Sequence, residues 1–478
     1  MSQSTLPESN NKEVQGITKI SVQGFKSLYD ECSIEIRPLT ILAGANSSGK
    51  SSSMQPLLLM KQTLEATYDP GALLLNGPNV RFTSVEQILS KKSDKNEISQ
   101  FNTVLELKHS GFDHFIQMIF EGVPGQGIDI IELRYKDDSD SDELEKIKTI
   151  KLNLAEEEIK NAFPDWIINN LLVTTKQSTE TVELESKKYT YKPEKLKFEV
   201  RKNRISFTLL AFQVFEYQIQ PHTNKILRQD FSPADIFMQA IHEIIYIPGS
   251  RKNPERNYKN AATASPFSGT FEDYVASLIN QWQKTKDERL VSLGKALEML
   301  GLTWTVEARQ INDVQIELRV GRLSGIYDAN DMVSIADVGI GVSQVLPVLV
   351  ALLVAKPGQL VYIEQPELHL HPRAQAALAN ILADAAKRGV RVVIETHSEL
   401  LLLAVQSLVA ERQLSPDLVK LHWFTRGDDG MTTISSADLD EAGAFGDFPE
   451  DFSDVSLKLE SRYLNAAESR LSEGSSGS

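Results

Sequence analysis

Four short stretches of this chain hold residue types whose spacing could do chemistry. The first runs from Gly44 through Asn46, Ser47, Ser48, Gly49 and Lys50 to Ser51, a Gly-x-x-x-x-Gly-Lys-Ser pattern. An apolar run at 39–43 precedes it, and a helix is expected from Ser52 to about Ala66. Strand, glycine-rich loop and helix in that order are the setting of a loop that cradles phosphates. Gly44 and Gly49 permit backbone conformations and close approaches that side chains would block. The N–H groups of Asn46, Ser47, Ser48 and Ser52 can then converge on phosphate oxygens, helped by the helix N-terminus. Lys50 can reach the β- and γ-phosphates, and the Ser51 hydroxyl can ligate Mg²⁺. The pattern implies ATP and Mg²⁺ as ligands.

The second stretch is 336–344, in which Gly339, Gly341 and Ser343 open an apolar helix. A glycine-rich turn at a helix start is another seat for a γ-phosphate. Alone it decides little, because Gly-x-Gly turns are common. The third, 360–372, is an apolar strand ending in Glu364, Gln365 and Glu367. Carboxylates there can hold Mg²⁺ through its water shell and orient an attacking water. The fourth, 392–398, delivers His397 at the C-terminal end of a buried strand, where α/β sheets place their ligands. Each has a plainer reading. His369 and His371 beside Glu364 and Glu367 invite a metal cluster, yet the leucine spacing and Pro372 favour a packed loop. His397 on its own could be a satisfied core histidine.

The elements that must position these groups follow from periodicity. Alternating runs at 17–22 and 33–36 read as strands ahead of the loop strand. After the first helix come a turn at Asn76, Gly77 and Pro78, and then Gln87. From 95 to 245 the texture changes to short β-like runs, at 103–107, 114–120, 129–135, 196–200, 205–212 and 217–219. That spacing suggests an antiparallel lobe inserted into the phosphate-binding body. The acidic run 137–143 reads as a solvated loop. The run from Lys187 to Arg204, with Tyr189, Tyr191 and Phe198 among its cations, reads most simply as a hairpin face, and otherwise as a strand pair tracking DNA. Residues 270–302 read as helix ending at Gly301, with strands at 304–308 and 314–320 beyond it. Asp428, Asp429 and Gly430 read as a hairpin turn.

Composition bounds the rest. The 478 residues carry 41% hydrophobic and 24% charged side chains, the profile of an ordinary soluble protein of two or three lobes. A formal net charge of −15 argues against a body built to coat itself with DNA. The single cysteine, Cys32, excludes an internal disulfide and a cysteine-rich zinc site. The polar opening has no apolar signal segment, and the longest apolar run, 345–355, is too short for a bilayer and contains Pro347. A cytoplasmic protein is expected. The expected division is a disordered leader at 1–15, an ATPase head at 16–94 and 311–425, a β-rich lobe at 95–245 and a helical lobe at 246–310. An extension at 426–471 and an appended linker at 472–478 follow.

The order of the four stretches resembles ATPases of the ABC superfamily, over roughly 17–68 and 333–400. Within it, Gly24-Phe25-Lys26-Ser27 and the phosphate loop resemble the RecF/SMC-like branch. More narrowly, 363–372 and 337–344 resemble AAA-family ATPases related to the overcoming-lysogenization-defect (OLD) group, as do 246–256 and 445–452. The resemblance implies an α/β, P-loop ABC-type ATPase head with an inserted antiparallel β lobe and a small helical lobe. It implies phosphate and Mg²⁺ roles for Lys50 and Ser51, and a metal-sensing loop at Gln87. Gly339, Gly341 and Ser343 would close over the γ-phosphate of a partner subunit. Glu364 would be the Mg²⁺-side carboxylate and His397 the switch histidine. ATP would then be sandwiched head to tail in a homodimer, or in a higher oligomer built from it.

Gln365 departs from the superfamily pattern, which has a Glu there to polarise the water. An amide can orient water but cannot accept its proton. Slow turnover, substitution by Glu367 or His397, or an ATP-trapping replacement each account for it. OLD-like enzymes carry a TOPRIM nuclease after the ATPase, and the residues beyond His397 are too few for one. The expectation is therefore a nucleotide-gated sensor or scaffold for a separate effector, a nuclease or toxin, in bacterial anti-phage defence. A RecF-like DNA-repair ATPase and a non-hydrolysing ATP-bound scaffold are the alternatives.

Overall fold

A computed structural model describes residues 15–91, 98–123, 125, 127–137, 234–322, 331–446 and 461–462. It also describes strands at 148–151, 182–184, 187–189, 193–203, 206–215 and 225–231. The leader before residue 15, the acidic run from 138, the run 217–219 and the final linker lie outside the described residues. The chain divides into two compact bodies. One is drawn from 1–33, 52–244 and 429–431, the other from 34–51, 245–428 and 432–478.

The first body is built on an antiparallel sheet in the order Gly16–Gln23, Gln100–His109, Phe112–Val123, Gly127–Asp137 and Lys148–Lys151, with Cys32–Glu35 at the free edge of Gly16–Gln23. Alternation sends Phe101, Leu105, Ile116, Met118 and Phe120 inward. Phe101 stacks on Phe120 with ring centroids 4.9 Å apart, and Phe25 meets Phe101 edge-on at 5.4 Å. Ile20 is in register with Leu105. The first strand, placed with the head on sequence grounds, thus shares its sheet with strands of the 95–245 stretch. A second antiparallel sheet comprises Pro193–Asn203, Ser206–Phe215 and Lys225–Phe231.

The second body holds the phosphate loop. Its sheet contains β1 (Leu39–Gly44), β2 (Ile245–Ile247), β3 (Leu360–Glu364), β4 (Arg391–Thr396), β5 (Val419–Arg426) and β6 (Thr432–Ala437). Their order is β2-β3-β4-β1-β5-β6, and every pair is parallel except β5 with β6. The turn expected at Asp428–Gly430 joins that last hairpin.

Period-two alternation divides the sheet's faces. Leu39, Ile41, Ile245, Ile247, Val361, Ile363, Val392, Ile394 and Leu421 belong to one hydrophobic core. That core also takes residues from α2 (Val275–Thr285), α3 (Glu288–Met299), α4 (Ile340–Val354), α5 (Pro372–Lys387) and α6 (Glu399–Ala410). Each such side chain contributes about 1.5–3 kcal/mol on burial, so this face carries the folding. The alternate positions hold Thr40, Tyr246, Tyr362, Glu364, Arg391, Glu395, Lys420 and His422 among the apolar Leu42, Leu360, Val393 and Phe424. Most of the sheet's polar side chains lie on that face.

The helix expected across 270–302 is broken. Lys286 adopts a left-handed φ of 54°, and the Asp287 side chain accepts from the Arg289 N–H to cap a new helix. A mid-stretch Asp competes for backbone N–H groups and restarts the helix in a new direction.

Candidate active site

The helix after the phosphate loop, α1 (Lys50–Leu64), begins at the lysine itself. Gly44 has φ +139°, and a Cβ there would lie 2.3 Å from the Phe424 carbonyl oxygen on β5. Gly49 has φ +100°. Both glycines therefore stand where the loop's backbone demands them. Asn46 and Ser47 are exposed, Ser48 and Ser52 are buried, and Ser47 has φ +61°. The neighbouring hairpin braces the loop: the Thr432 hydroxyl donates to the Ser48 carbonyl at 2.8 Å, and Arg426 donates to the Ser47 carbonyl at 3.3 Å. Sequence reasoning missed both residues, because no motif marks a strand neighbour 379 or 384 residues away.

Lys50 folds back, its ammonium donating to the Gly44 and Ala45 carbonyls at 3.0 and 2.8 Å. Burial pulls its pKa down, opposed by Glu395. Burial, followed by the Lys50 charge, lowers the His397 pKa, opposed by the Gly44 backbone.

β3 and β4 end in register, with Glu364 opposite Glu395. Glu364 accepts from the Tyr246 hydroxyl at 2.9 Å and from the Gly249 N–H at 3.0 Å. Glu395, 4% exposed, accepts from the Ser51 hydroxyl at 2.9 Å and from the Tyr362 hydroxyl. The Tyr246 and Tyr362 rings stack at 5.3 Å. Burial, then the charge of Glu364, push the Glu395 carboxyl up to about 7 against the pull of Tyr362, Ser51 and Lys50. Nothing in the motif spacing singled out Glu395 or these tyrosines. The available signal was a Glu two residues before His397 on a buried strand, where an unpaired carboxylate is costly.

Gln365 sits in a left-handed conformation, φ +44°. Its N–H donates to the Glu395 carbonyl at 2.8 Å, and Arg251 donates to the carbonyls of Glu364 and Gln365 at 2.8 and 3.0 Å. Glu367, 8% exposed, accepts from the Thr396 hydroxyl at 2.8 Å and the His397 N–H at 3.0 Å through one oxygen. Its other oxygen is buried without a partner among the described residues. Ser51 and Tyr362 thus link to Glu395, Tyr362 also stands 3.4 Å from Glu364 Oε1, and Glu367 separately ties Thr396 to the His397 backbone. His371 caps α5, accepting from the Arg373 N–H, and among the described residues no group of three or more His, Cys, Asp or Glu is placed to hold a metal.

The glycine-rich stretch opens α4, with Gly339 at the cap position and no side-chain cap bond. Ser343 donates to the Ile340 carbonyl at 2.8 Å. Gly339 and Gly341 line an open cavity of about 380 Å³ with Gly301, Thr303, Arg322 and Asp337, and Arg256 grips Asp337 at 2.7 and 3.1 Å. Gln87 belongs to the first body, its amide oxygen accepting from the Thr83 N–H at 2.8 Å.

The residues present fit Mg²⁺. Ser51 offers a hydroxyl bonded to the Glu395 carboxylate, with Glu364 in register on the next strand, and such oxygen donors suit a hard dication.

Residues 39–404 match the family described as "AAA domain, putative AbiEii toxin, Type IV TA system". No curated protein matches the chain. Among solved structures, the SMC head domain from Thermotoga maritima is 10% identical with TM-score 0.40, over 88% of this chain and 98% of that one. The Pyrococcus furiosus Smc head domain with an extended coiled coil, bound to the C-terminal domain of ScpA, is 10% identical with TM-score 0.41, over 88% and 96%. An SmcHead bound to the C-winged helix domain of ScpA is 10% identical with TM-score 0.45, over 89% and 99%. The family match covers most of the chain and contains the phosphate loop, the glycine-rich stretch, the carboxylate strand and the histidine strand, so the chain belongs to this AAA-domain family.

Proposed function

We propose that the protein is an ABC-type ATPase that binds ATP and Mg²⁺ between two copies of itself, hydrolyses it slowly, and gates a separate effector, a nuclease or toxin, in bacterial anti-phage defence. The observation that carries the ATPase reading is the Ser51 hydroxyl bonded to the buried Glu395 at the end of β4, with the Lys50 ammonium beside it folded onto the loop's own carbonyls. Lys50, released from the Gly44 and Ala45 carbonyls, would pair with the β- and γ-phosphates, and loop N–H groups would seat the remaining oxygens. Mg²⁺, when bound, neutralises charge on the phosphate oxygens. Ser51 with Glu364 or Glu395 would hold its water shell. Arg251 fixes the Glu364–Gln365 backbone, and Glu367 holds the His397 backbone at the loop's edge.

The open N-terminus of α4, beside Gly339, Gly341 and Ser343, supports a γ-phosphate seat offered to a partner copy. A symmetric dimer would hold two such sandwiches, and ATP would favour the closed state by its differential affinity. The effector and its defence role rest on resemblance to stand-alone ATPases of this type. The family description, with its putative toxin, is compatible with that setting. Among the described residues no helix is long and apolar enough to cross a membrane, in keeping with a cytoplasmic site of action.

The test is mass measurement with and without MgATP. Wild type should double in mass with MgATP. Lys50→Ala should bind no ATP and stay at its apo mass, and Ser343→Arg should bind ATP yet fail to dimerise. Unchanged ATP affinity in Lys50→Ala would sink the reading. A non-hydrolysing scaffold is favoured by Gln365, whose side chain offers no base, and predicts retained ATP without phosphate release.

A further inference from the structure

One segment of the second body runs from the Gln365 turn to the glycine-rich turn that opens α4. It leaves β2, which pairs with β3, and ends at Tyr258–Lys259, which pairs with Gln315–Gly321. Between these anchors it forms neither helix nor strand and is held by side chains. Arg251, 7% exposed, donates to the carbonyls of Glu364 and Gln365. The next carbonyl, of Lys252, accepts from the side chain of the buried Gln344 at 3.0 Å. Further along, Arg256 clasps both oxygens of Asp337 at 2.7 and 3.1 Å. Asp337 and Gln344 bracket the glycine turn, one ahead of Gly339 and the other directly after Ser343. The turn has little restraint of its own: Gly339 caps α4 without a side-chain bond, and a Cβ on it would meet nothing within 4 Å. Charge points the same way. An unopposed Asp337 would repel a phosphate brought to the start of α4, and a guanidinium fork is the group that matches a carboxylate in two bonds. The Arg256 and Asp337 side chains are 69% and 47% exposed, and exposed pairs add little to folding stability. A forked pair at this place is therefore accounted for by the turn rather than by the fold.

We propose that Arg256 is a positioning residue for the turn Gly339–Ser343 that is offered to a second copy of this chain. Through Asp337 it holds the turn in place and cancels the acid's charge where the partner's γ-phosphate arrives. This rests on the reading above in which two copies sandwich ATP. Arg251 and Arg256 lie on one short segment, so the turn offered to the partner is tied to the Gln365 turn of the chain's own nucleotide site. The role separates two events: the phosphate loop binds nucleotide within one copy, and Arg256 acts when the second copy closes.

The test is analytical ultracentrifugation of the full chain with MgATPγS, beside nucleotide affinity measured at protein dilutions that keep it monomeric. Arg256→Ala should melt close to wild type and keep its monomer affinity within about twofold, while its nucleotide-dependent dimer weakens about tenfold, the size of a typical coupling between sites. Arg256→Asp, which sets two acids side by side, should weaken the dimer further. Combined with Asp337→Arg, it should recover to within about threefold of wild type. A dimer as tight as wild type in Arg256→Ala overturns the assignment, as does a swapped pair no better than Arg256→Asp alone. Equal losses of monomer affinity and of dimer would also overturn it, since a residue serving the partner leaves its own phosphate loop intact. Should Arg256→Ala not fold, the swapped pair still decides. Wild type that binds ATPγS without any change of mass would remove the sandwich reading, and this role with it, a result distinct from every variant outcome.

Discussion

Glu364 and Glu395 are register partners on adjacent parallel strands, and their carboxylates are committed to different neighbours. Glu364 faces Tyr246 and Gly249, and Glu395 faces Ser51 and Tyr362. One strand of separation divides the carboxylate held by Tyr246 and Gly249 from the one that meets Ser51. That division frames the predictions below.

Gln365→Glu should raise steady-state phosphate release by about tenfold or more, since general-base catalysis contributes about 10²–10⁴-fold. Arg251 and the Glu395 carbonyl hold the backbone at this position, so the substitution changes the acid–base group without moving the turn. Equal turnover in the two proteins would show that Glu367 or His397 already supplies the base.

Glu367→Ala should lower unfolding stability by about 1–3 kcal/mol, because a buried hydroxyl and a backbone N–H lose their acceptor. Glu367→Gln keeps an acceptor for Thr396 and the His397 N–H, so denaturant melts should place it nearer wild type. Similar losses in the two variants would mean that the carboxylate's charge, rather than its acceptor oxygen, matters.

Gly44→Ala should abolish ATP binding and destabilise the apo protein by more than about 2 kcal/mol, since its φ is unfavourable for a Cβ and backbone stands in the way. Gly339→Ala meets nothing within 4 Å and should melt close to wild type. Thermal melts of the pair, with ATP titration, check both statements.

His422 is 1% exposed, bonded to Ser436 and to the Glu35 carbonyl, and burial drives its pKa down to about 4. The unfolded chain takes up this proton near 6.5 and the folded chain does not. Stability from this group is therefore present above about 6.5 and is lost as pH falls toward 4. The shift corresponds to about 3 kcal/mol. Urea melts from pH 7.5 to 4.5 should show a smaller slope for His422→Gln than for wild type, and parallel slopes would refute the assignment.

Local pattern determined a good deal. The phosphate loop lay open in the sequence because its chemistry is contiguous: strand, glycines, Lys50 and Ser51 follow one another along the chain. The carboxylate strand and the histidine strand were legible for the same reason, as apolar runs ending in polar groups. The loop-side strand expected at 39–43 ends one residue later, at Gly44, and the helix expected from Ser52 begins at Lys50. The helix expected at 270–302 broke at Lys286 and Asp287, since a cap competes locally with a pattern that only the full turn count reveals.

Tertiary structure alone decided which groups meet. Sequence order sets phosphate loop, carboxylate strand, then histidine strand, yet the sheet inserts β4 between β3 and β1. Pairing across strands is a long-range choice made by burial of the opposite, apolar face, and no local spacing encodes it. That choice brings Glu395 to Ser51, turns Glu364 toward Tyr246, and sets Thr432 and Arg426 against the loop's carbonyls. The residues able to do chemistry were written in the sequence, and the strand order determined which of them face the nucleotide loop.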